Sequence, residues 1–242
     1  MYSSTSDQNI KPNDDVFKVV IKSHTDSDPW TYEKLDHYQR ELKQKVLQNP
    51  NQVYILLSEV SPVITLSHRG FERLKDNFTL SFDFIKNSGV SFFETDRGGN
   101  ATYHGKGQWV VFVIGKLERL TGDAKGVRKM IVKLLNMALD VTQKYVPESV
   151  IRDGDEWGIW SSPQKSATKL VSCGIKISQG VVLHGLCFNG YSTPLSFLGL
   201  KPCGLDAQAG YLLKTDQDFE NLKDMIIQSC KKYFYENRGE NK

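Results

Sequence analysis

The residues best suited to chemistry are concentrated in one glycine-rich stretch, Thr95–Gln108. Gly98 and Gly99 allow the backbone to approach a ligand closely or to adopt a positive φ. Arg97 can offer a bidentate fork to an anion, and His104 can serve as an acid, a base or a hydrogen-bond donor. The stretch matches neither the phosphate-binding loop nor the dinucleotide-binding pattern. A polar hairpin loop with a purely structural role is the alternative interpretation.

A lysine and a cysteine further along the chain form a second candidate site. Lys169 opens the segment Lys169–Ile177, whose alternation of side chains predicts a strand. Cys203 lies between Pro202 and Gly204, which favour a sharp turn that would display the thiol. The thiolate is the reactive form of cysteine, and a nearby ammonium stabilises it. From its local sequence alone, Cys203 is more often a small buried residue, and Lys169 is usually a solvated residue at a strand end.

The remaining cysteines and histidines are interpreted as structural. Cys173, Cys187 and Cys230 have apolar neighbours in the sequence. His184 interrupts an apolar strand, where a hydrogen-bonded core histidine is favoured over a ligand. Neither residue type shows the spacing of a metal site, so no metal is expected.

The elements that must position these residues alternate between strands and helices. Helices are predicted from Asp28-Pro29 to Asn49-Pro50, over about Asp123–Tyr145, and from Thr215 onward. Strands are predicted at Val16–Ile21, Val53–Leu57, Val63–Leu66, Trp157–Trp160, Lys169–Ile177 and Val181–Asn189, the last two joined through Gln179-Gly180. This order predicts an α/β or α+β domain with a mixed sheet. We expect one catalytic domain over residues 15–238 after a disordered tail at residues 1–14.

Composition excludes several classes of protein. The net charge is +3, from 31 basic and 28 acidic residues, which is too small an excess to indicate a nucleic-acid-binding face. The longest apolar run, Trp109–Ile114, is too short to cross a bilayer, and the first residues lack an apolar signal segment. The four cysteines do not form a disulfide pattern. A reduced, cytoplasmic chain is therefore expected.

Four motifs, in order along the chain, resemble those of the lipoyl(octanoyl) transferase family. Arg97–Gln108 resembles the signature R-G-G-x-x-T-Y-H-G-P-G-Q, and Lys169–Ile177 resembles the lysine strand K-I-A-x-x-G-[IVL]-[RK]-[IV]. Leu183–Asn189 is similar to the segment H-G-[FL]-A-L-N, and Pro202–Gly204 to the P-C-G turn. The separation between lysine and cysteine, 203 − 169 = 34, is the one that the family uses.

The resemblance implies a biotin/lipoate-protein-ligase-like fold, with a central mixed sheet flanked by helices and a small additional sheet. It also implies transfer of an octanoyl group from octanoyl-acyl carrier protein to the lysine amine of lipoyl domains. Cys203 would carry the acyl group as a thioester, and Lys169 would lower the pKa of Cys203. The acceptors would be the lipoyl domains of 2-oxoacid dehydrogenase complexes and the glycine cleavage H protein. No nucleotide, metal or other cofactor is then required, and neither a nucleic acid nor a membrane is an expected partner.

The resemblance further implies that three segments line the acyl site. These comprise Arg97, Gly98, Gly99, Asn100, Ala101, Thr102, Tyr103 and His104; Ser172, Cys173 and Gly174; and Gly185, Leu186 and Cys187.

Two residues depart from the family pattern, and two other functions remain as alternatives. Lys106 replaces a proline, and we expect it to point to solvent rather than to dock an acidic carrier protein. Cys187 replaces an alanine and would bring a second thiol to the acyl chain. An ATP-dependent lipoate- or biotin-protein ligase would share the fold but would not need Cys203. A non-catalytic acyl-binding homologue would have no chemical reason to keep both Lys169 and Cys203.

Overall fold

The computed structural model describes residues 16–25, 27–67, 78–200 and 208–236. The predicted tail, residues 1–14, and Cys203 lie outside these residues. The strands are β1 (Phe17–Ser23), β2 (Val53–Glu59), β3 (Val63–Ser67), β4 (Ser91–Thr95), β5 (Ala101–His104), β6 (Gln108–Lys116), β7 (Val150–Arg152), β8 (Gly158–Trp160), β9 (Lys169–Ser178) and β10 (Val181–Asn189). The helices are α1 (Tyr32–Gln48), α2 (Phe82–Asn87), α3 (Leu117–Thr121), α4 (Val127–Thr142) and α5 (Phe219–Lys231).

The larger sheet is mixed and has seven strands in the order β1-β2-β6-β10-β9-β8-β7. β1 and β2 are parallel, and each of the other neighbouring pairs is antiparallel. The predicted hairpin between β9 and β10 is confirmed. Its turn residues, Gln179 and Gly180, have φ values of 53° and 73°, as a type I′ turn requires.

A second sheet has three strands in the order β4-β3-β5, with β3 parallel to β4 and antiparallel to β5. β2 and β3 follow one another closely in the sequence but belong to different sheets. The predicted fold class, a central mixed sheet with helices and a small additional sheet, is confirmed.

Alternating side chains of the central strands face two separate apolar layers. From β6, Val111 and Val113 pack with α4 and α5, whereas Val110 and Phe112 pack on the side of α1. Because both faces are covered, β6 and β10 are buried along almost their whole length. The α1 side also carries the small sheet, whose own apolar cluster includes Ile64, Leu66, Ala101 and Tyr103.

Each predicted helix exists, but each begins later than its sequence signal indicates. Thr31, rather than Asp28, is the N-cap of α1, and its hydroxyl accepts a hydrogen bond from the backbone N–H of Lys34 at 3.3 Å. Asp28 instead lies in a turn, where its backbone N–H donates to the hydroxyl of Thr25. The predicted end of α1 is confirmed, because Asn49 is its C-cap.

The two later helices also begin after their predicted first residues. α4 begins at Val127 instead of about Asp123, because the carbonyl of Asp123 accepts from the hydroxyl of Thr121 in a preceding turn. α5 begins at Phe219 rather than Thr215. Within the described residues, the short elements β4, β5, β7, α2 and α3 had no sequence prediction, and β5 forms inside the stretch interpreted as a loop.

Leu134 provides a direct test of the packing on the α4 side of the sheet. Leu134 is fully buried, whereas Val132 on the same helix is 38% exposed. We expect Leu134→Ala to lower the free energy of unfolding by about 2–5 kcal/mol, because it leaves a cavity. Val132→Ala is the matched control and should change it by less than about 0.5 kcal/mol. Urea denaturation measures the free energy of unfolding of both variants. Equal losses in the two variants would contradict the placement of Leu134 in the core and of Val132 at the surface.

Candidate active site

A small cavity of about 30 Å³ lies where the large sheet meets α1 and the glycine-rich stretch. Each of the three segments predicted to line an acyl site contributes to it. Tyr32, Phe112 and His184 also line it, although the sequence did not indicate them as site residues. The full lining is Tyr32, Arg97, Thr102, His104, Phe112, Ser172, Cys173, Gly174, His184, Gly185, Leu186 and Cys187.

Glycines allow the backbones around this cavity to approach closely. The N–H of Gly98 donates to the carbonyl of Ile175 at 3.1 Å. A Cβ on Gly174 would lie 2.6 Å from the carbonyl oxygen of Gly98, and one on Gly185 would lie 2.2 Å from that of Val111. A larger residue at position 174 or 185 would therefore push the strands or the glycine-rich stretch apart.

Arg97 ties the glycine-rich stretch to β3. Its side chain is 9% exposed, and its guanidinium donates to the carbonyl and hydroxyl of Thr65, each at 2.9 Å. It also donates to the carbonyls of Gly98 at 3.0 Å and Asn100 at 3.2 Å. Arg97 thus fixes the loop while bringing a positive charge to the cavity.

The remaining predicted residues of this stretch do not line the cavity. Because side chains alternate along β5, Thr102 and His104 face the cavity, whereas Ala101 and Tyr103 pack in the apolar cluster of the small sheet. Gly99 has a φ of 89°, and its carbonyl accepts from the hydroxyl of Ser67. Gly99 therefore shapes the loop, and Ala101 and Tyr103 shape the small sheet.

His104 and Cys187 form a buried pair in the cavity wall. Nδ1 of His104 lies 3.3 Å from Sγ of Cys187, and the imidazole stacks on Tyr32 with ring centroids 5.1 Å apart. Burial lowers the pKa of His104 well below its usual range, and the positive charge of Arg97 lowers it further. Burial also raises the pKa of the Cys187 thiol. His104 is therefore neutral and Cys187 is a thiol at neutral pH.

His184 is hydrogen-bonded on both sides, as the sequence predicted for a core histidine. Its Nδ1 lies 3.2 Å from Nε2 of Gln39, and its Nε2 lies 2.9 Å from Oδ1 of Asp96. Its φ is 61°, and its backbone N–H donates to Oε1 of Gln39. This bond to His184 holds the pKa of Asp96 well below its usual range, and burial lowers the pKa of His184.

The same region contains a group of potential metal-ligand atoms, from Asp36, Asp96 and His184, which lie within 4.8 Å of one another. Arg40 pairs with Asp36 at 2.8 Å and with Asp96 at 3.3 Å. A cation would have to displace this guanidinium. The group is therefore better described as an ion-pair network that anchors α1 to β10.

Lys169 is buried, in contrast to the interpretation of a solvated residue at a strand end. Its side chain is 2% exposed, and its Nζ lies 5.2 Å from the ring centroid of Trp160 and 3.5 Å from the carbonyl of Glu156. Gly158 makes room for it, because a Cβ there would lie 2.6 Å from Cε of Lys169. Burial raises the pKa of Cys173 to about 12, and the charge of Lys169 opposes that rise.

Two buried amides connect Lys169 to the glycine-rich stretch. Gln108 accepts from the N–H of Gly105 at 3.0 Å and donates to Oδ1 of Asn189 at 2.8 Å. Asn189 donates to the carbonyls of Lys169 and Gly210 at 2.9 and 3.0 Å. Sequence reasoning did not select these amides, although Gln108 and Asn189 end two of the recognised motifs.

The chain that follows Cys203 returns directly beside Lys169. The backbone N–H of Lys169 donates to the carbonyl of Gln208, and the N–H of Gly210 donates to the carbonyl of Lys169, both at 2.9 Å. Gln208 is five residues after Cys203 in the sequence.

Lys106 is exposed, as expected. None of the helices within the described ranges has the length and apolar character needed to span a bilayer.

Comparison with solved structures identifies the class of fold. The chain is similar to Ta0514, a putative lipoate protein ligase from T. acidophilum with bound lipoic acid, with a TM-score of 0.68 and 11% identity, covering 89% of this chain and 84% of that one. It is also similar to lipoate-protein ligase A bound with ATP, with a TM-score of 0.59 and 11% identity, covering 90% and 84%. The fold is that of the lipoate-protein ligases.

Sequence comparison then gives the family. The lipoyl protein ligase A/B catalytic domain matches residues 32–202. The octanoyltransferase of Magnetococcus marinus is 34% identical over 77% of this chain and 79% of its own length. The octanoyltransferase of Desulfotalea psychrophila is 32% identical over 71% and 75%. The chain therefore belongs to the lipoyl protein ligase A/B catalytic-domain family, and within it to the octanoyltransferases, which are acyltransferases.

The neutral state of the buried histidines predicts a loss of stability in acid. An unfolded histidine titrates near pH 6.5, whereas the folded-state pKa values of His104 and His184 are lowered. Below about pH 6.5 the unfolded chain therefore binds protons that the folded chain does not, and the free energy of unfolding falls as pH falls. The slope should approach about 1.4 kcal/mol per pH unit for His104, whose pKa is lowered well below its usual range, and His184 should add a smaller amount because Asp96 opposes the effect of burial.

Urea denaturation between about pH 7 and pH 5 measures this slope. His104→Gln should reduce the slope by the contribution of one histidine. Leu134→Ala is the control, because it destabilises the fold without removing a titratable group and should keep the wild-type slope. An unchanged slope in His104→Gln would show that His104 is not held neutral.

Proposed function

We propose that this chain transfers an octanoyl group from octanoyl-acyl carrier protein to the lysine amine of lipoyl domains, through a thioester on Cys203. The observation that carries the proposal is the position of Lys169. Lys169 is buried at the start of β9, and Ser172–Gly174 of the same strand line the cavity. Its backbone is hydrogen-bonded to Gln208 and Gly210, which come soon after Cys203 in the chain. The similarity to octanoyltransferases supports the same reaction.

In the first step, the thiolate of Cys203 attacks the carbonyl carbon of the octanoyl thioester. The carbon–sulfur bond to the carrier breaks and the octanoyl group is left on Cys203. The carrier thiolate takes its proton from the ammonium of Lys169, which thereby becomes neutral. The ammonium of Lys169 stabilises the Cys203 thiolate electrostatically. Backbone N–H groups of the glycine-rich turns are suited to hold the oxyanion of the tetrahedral intermediate.

In the second step, the lysine amine of the lipoyl domain attacks the Cys203 thioester. An amide bond forms, the Cys203 carbon–sulfur bond breaks, and the thiolate is restored. The attacking amine must lose a proton, and Lys169 in its neutral form accepts it. The donor thioester is already activated, so the reaction needs no nucleotide.

Part of the cavity wall is apolar and suits contact with an acyl chain. The aromatic ring of Phe112 and the side chain of Leu186 contribute to its wall, and Cys187 presents a protonated thiol. Each buried CH₂ contributes about 0.8 kcal/mol, so full burial of an octanoyl tail, for which the cavity must widen, gains roughly 5–6 kcal/mol. This energy is large enough for chain length to select the donor.

Partners and location are proposed on the same basis. The acceptors are lipoyl domains of 2-oxoacid dehydrogenase complexes and the glycine cleavage H protein. A related archaeal system pairs a lipoate protein ligase with an E2 lipoyl domain. Among the described residues, Cys173, Cys187 and Cys230 are free thiols, which supports a reducing compartment such as the cytoplasm.

The covalent intermediate is tested by the mass of the intact protein. After mixing with octanoyl-acyl carrier protein and no ATP, the wild-type chain should gain one octanoyl group, and Cys203→Ala should gain none. Cys187→Ala is the matched control and should still be acylated. The same adduct on wild type and Cys203→Ala would rule out Cys203 as the acceptor, and no adduct on either would favour the ATP-dependent ligase.

The role of Lys169 is tested by the pH dependence of acylation. Lys169→Met should slow formation of the octanoyl adduct by about 10²-fold or more near neutral pH, the loss expected when a charge or proton-transfer partner is removed. The defect should shrink as pH rises and Cys203 ionises without help. Lys176→Met is the control, since Lys176 is an exposed lysine of the same strand. An equal defect at every pH would mean that Lys169 does not stabilise the thiolate.

A further inference from the structure

The pair formed by His104 and Cys187 has no part in the two steps proposed above. Both side chains are almost fully buried, at 4% and 2% exposure, and both line the cavity. Nδ1 of His104 lies 3.3 Å from Sγ of Cys187. Nε2 of His104 is buried and has no hydrogen-bond partner among the described residues.

The two protons of this pair have one favourable arrangement. His104 is neutral and so carries a single N–H, on Nδ1 or on Nε2, and Cys187 carries its own proton. An imidazole nitrogen is a good acceptor, whereas a thiol sulfur accepts weakly. The bond is therefore S–H···Nδ1, and this bond leaves the imidazole proton on Nε2.

A buried N–H without an acceptor costs free energy, so the cavity favours a ligand that supplies one. The carbonyl oxygen of an acyl group is such an acceptor and has no proton to donate. An Nδ1–H tautomer would instead present Nε2 as an acceptor and would not bind a carbonyl. The identity of the tautomer therefore decides which ligand the cavity accepts.

We propose that Cys187 is a positioning residue that fixes His104 in the Nε2–H tautomer, so that His104 donates a hydrogen bond to the carbonyl oxygen of the acyl group. The choice of an acyl carbonyl rests on the proposed function. The tautomer assignment does not, because it follows from the contact between His104 and Cys187 in the free protein.

The tautomer is read directly by ¹H–¹⁵N NMR of the substrate-free, ¹⁵N-labelled protein. We expect His104 to carry its proton on Nε2 in the wild type and to populate both tautomers in Cys187→Ala. Cys187→Ser keeps a donor and should restore the wild-type spectrum. Cys230→Ala is the control, since Cys230 is a buried thiol that packs in the apolar layer on the α4 and α5 side. A wild-type proton on Nδ1, or an unchanged tautomer in Cys187→Ala, would overturn the proposal.

2-Nonanone tests the carbonyl contact, because it has the carbonyl and alkyl chain of an octanoyl group, has no proton to donate and cannot acylate a thiol. Its addition should shift the Nε2 proton of His104 in wild type and Cys187→Ser. Cys187→Ala should bind 2-nonanone about twofold more weakly if its two tautomers are equally populated, because only the Nε2–H tautomer binds a carbonyl. Cys230→Ala should bind it normally. Absence of the shift, or equal binding by Cys187→Ala, would contradict the carbonyl contact. Failure to form the Cys203 adduct while 2-nonanone still shifts His104 would instead contradict the proposed function alone.

Discussion

The hydrogen bond between Gln108 and Asn189 is the constraint on which the arrangement of the site depends. Both amides are 1% exposed, and a buried amide left without partners is costly. These two amides hold three parts of the site together. The parts are the glycine-rich stretch near its end at Gly105, the end of β10, and the start of β9 at Lys169. The backbone of Gly210 joins the same network and brings the chain that follows Cys203 beside Lys169.

Around this network the charged side chains near the site are bound to fixed partners. The guanidinium of Arg97 donates its hydrogen bonds to Thr65 and to the loop backbone. Arg40 pairs with the carboxylates of Asp36 and Asp96, which lie beside His184. Within the cavity wall, His104 and Cys187 are both neutral. Because Arg97 is already bound to the protein and the inner groups are neutral, the cavity is consistent with the uncharged acyl group proposed above.

Sequence reasoning succeeded where a signal is local or belongs to a recognised motif. The alternation along Lys169–Ile177 and the turn at Gln179-Gly180 predicted a strand and a hairpin. The three segments assigned to the acyl site each contribute residues to one cavity, although their role in binding an acyl group stays a prediction. The features that the sequence did not predict depend on contacts between segments that are distant in the chain. β5 forms because it pairs with β3, and Lys169 is buried because Gly158 and Trp160 accommodate it. No pattern within Lys169–Ile177 contains that information.

The most direct test of the account is a comparison of acyl donors with one lipoyl domain as acceptor. Octanoyl-acyl carrier protein without nucleotide is compared with free octanoate plus ATP, and the mass of the lipoyl domain is measured in each case. An octanoyltransferase should place one octanoyl group on the acceptor lysine with the carrier thioester alone, and none with octanoate and ATP. Modification that requires octanoate and ATP would contradict it and would identify the chain as a ligase on the same fold.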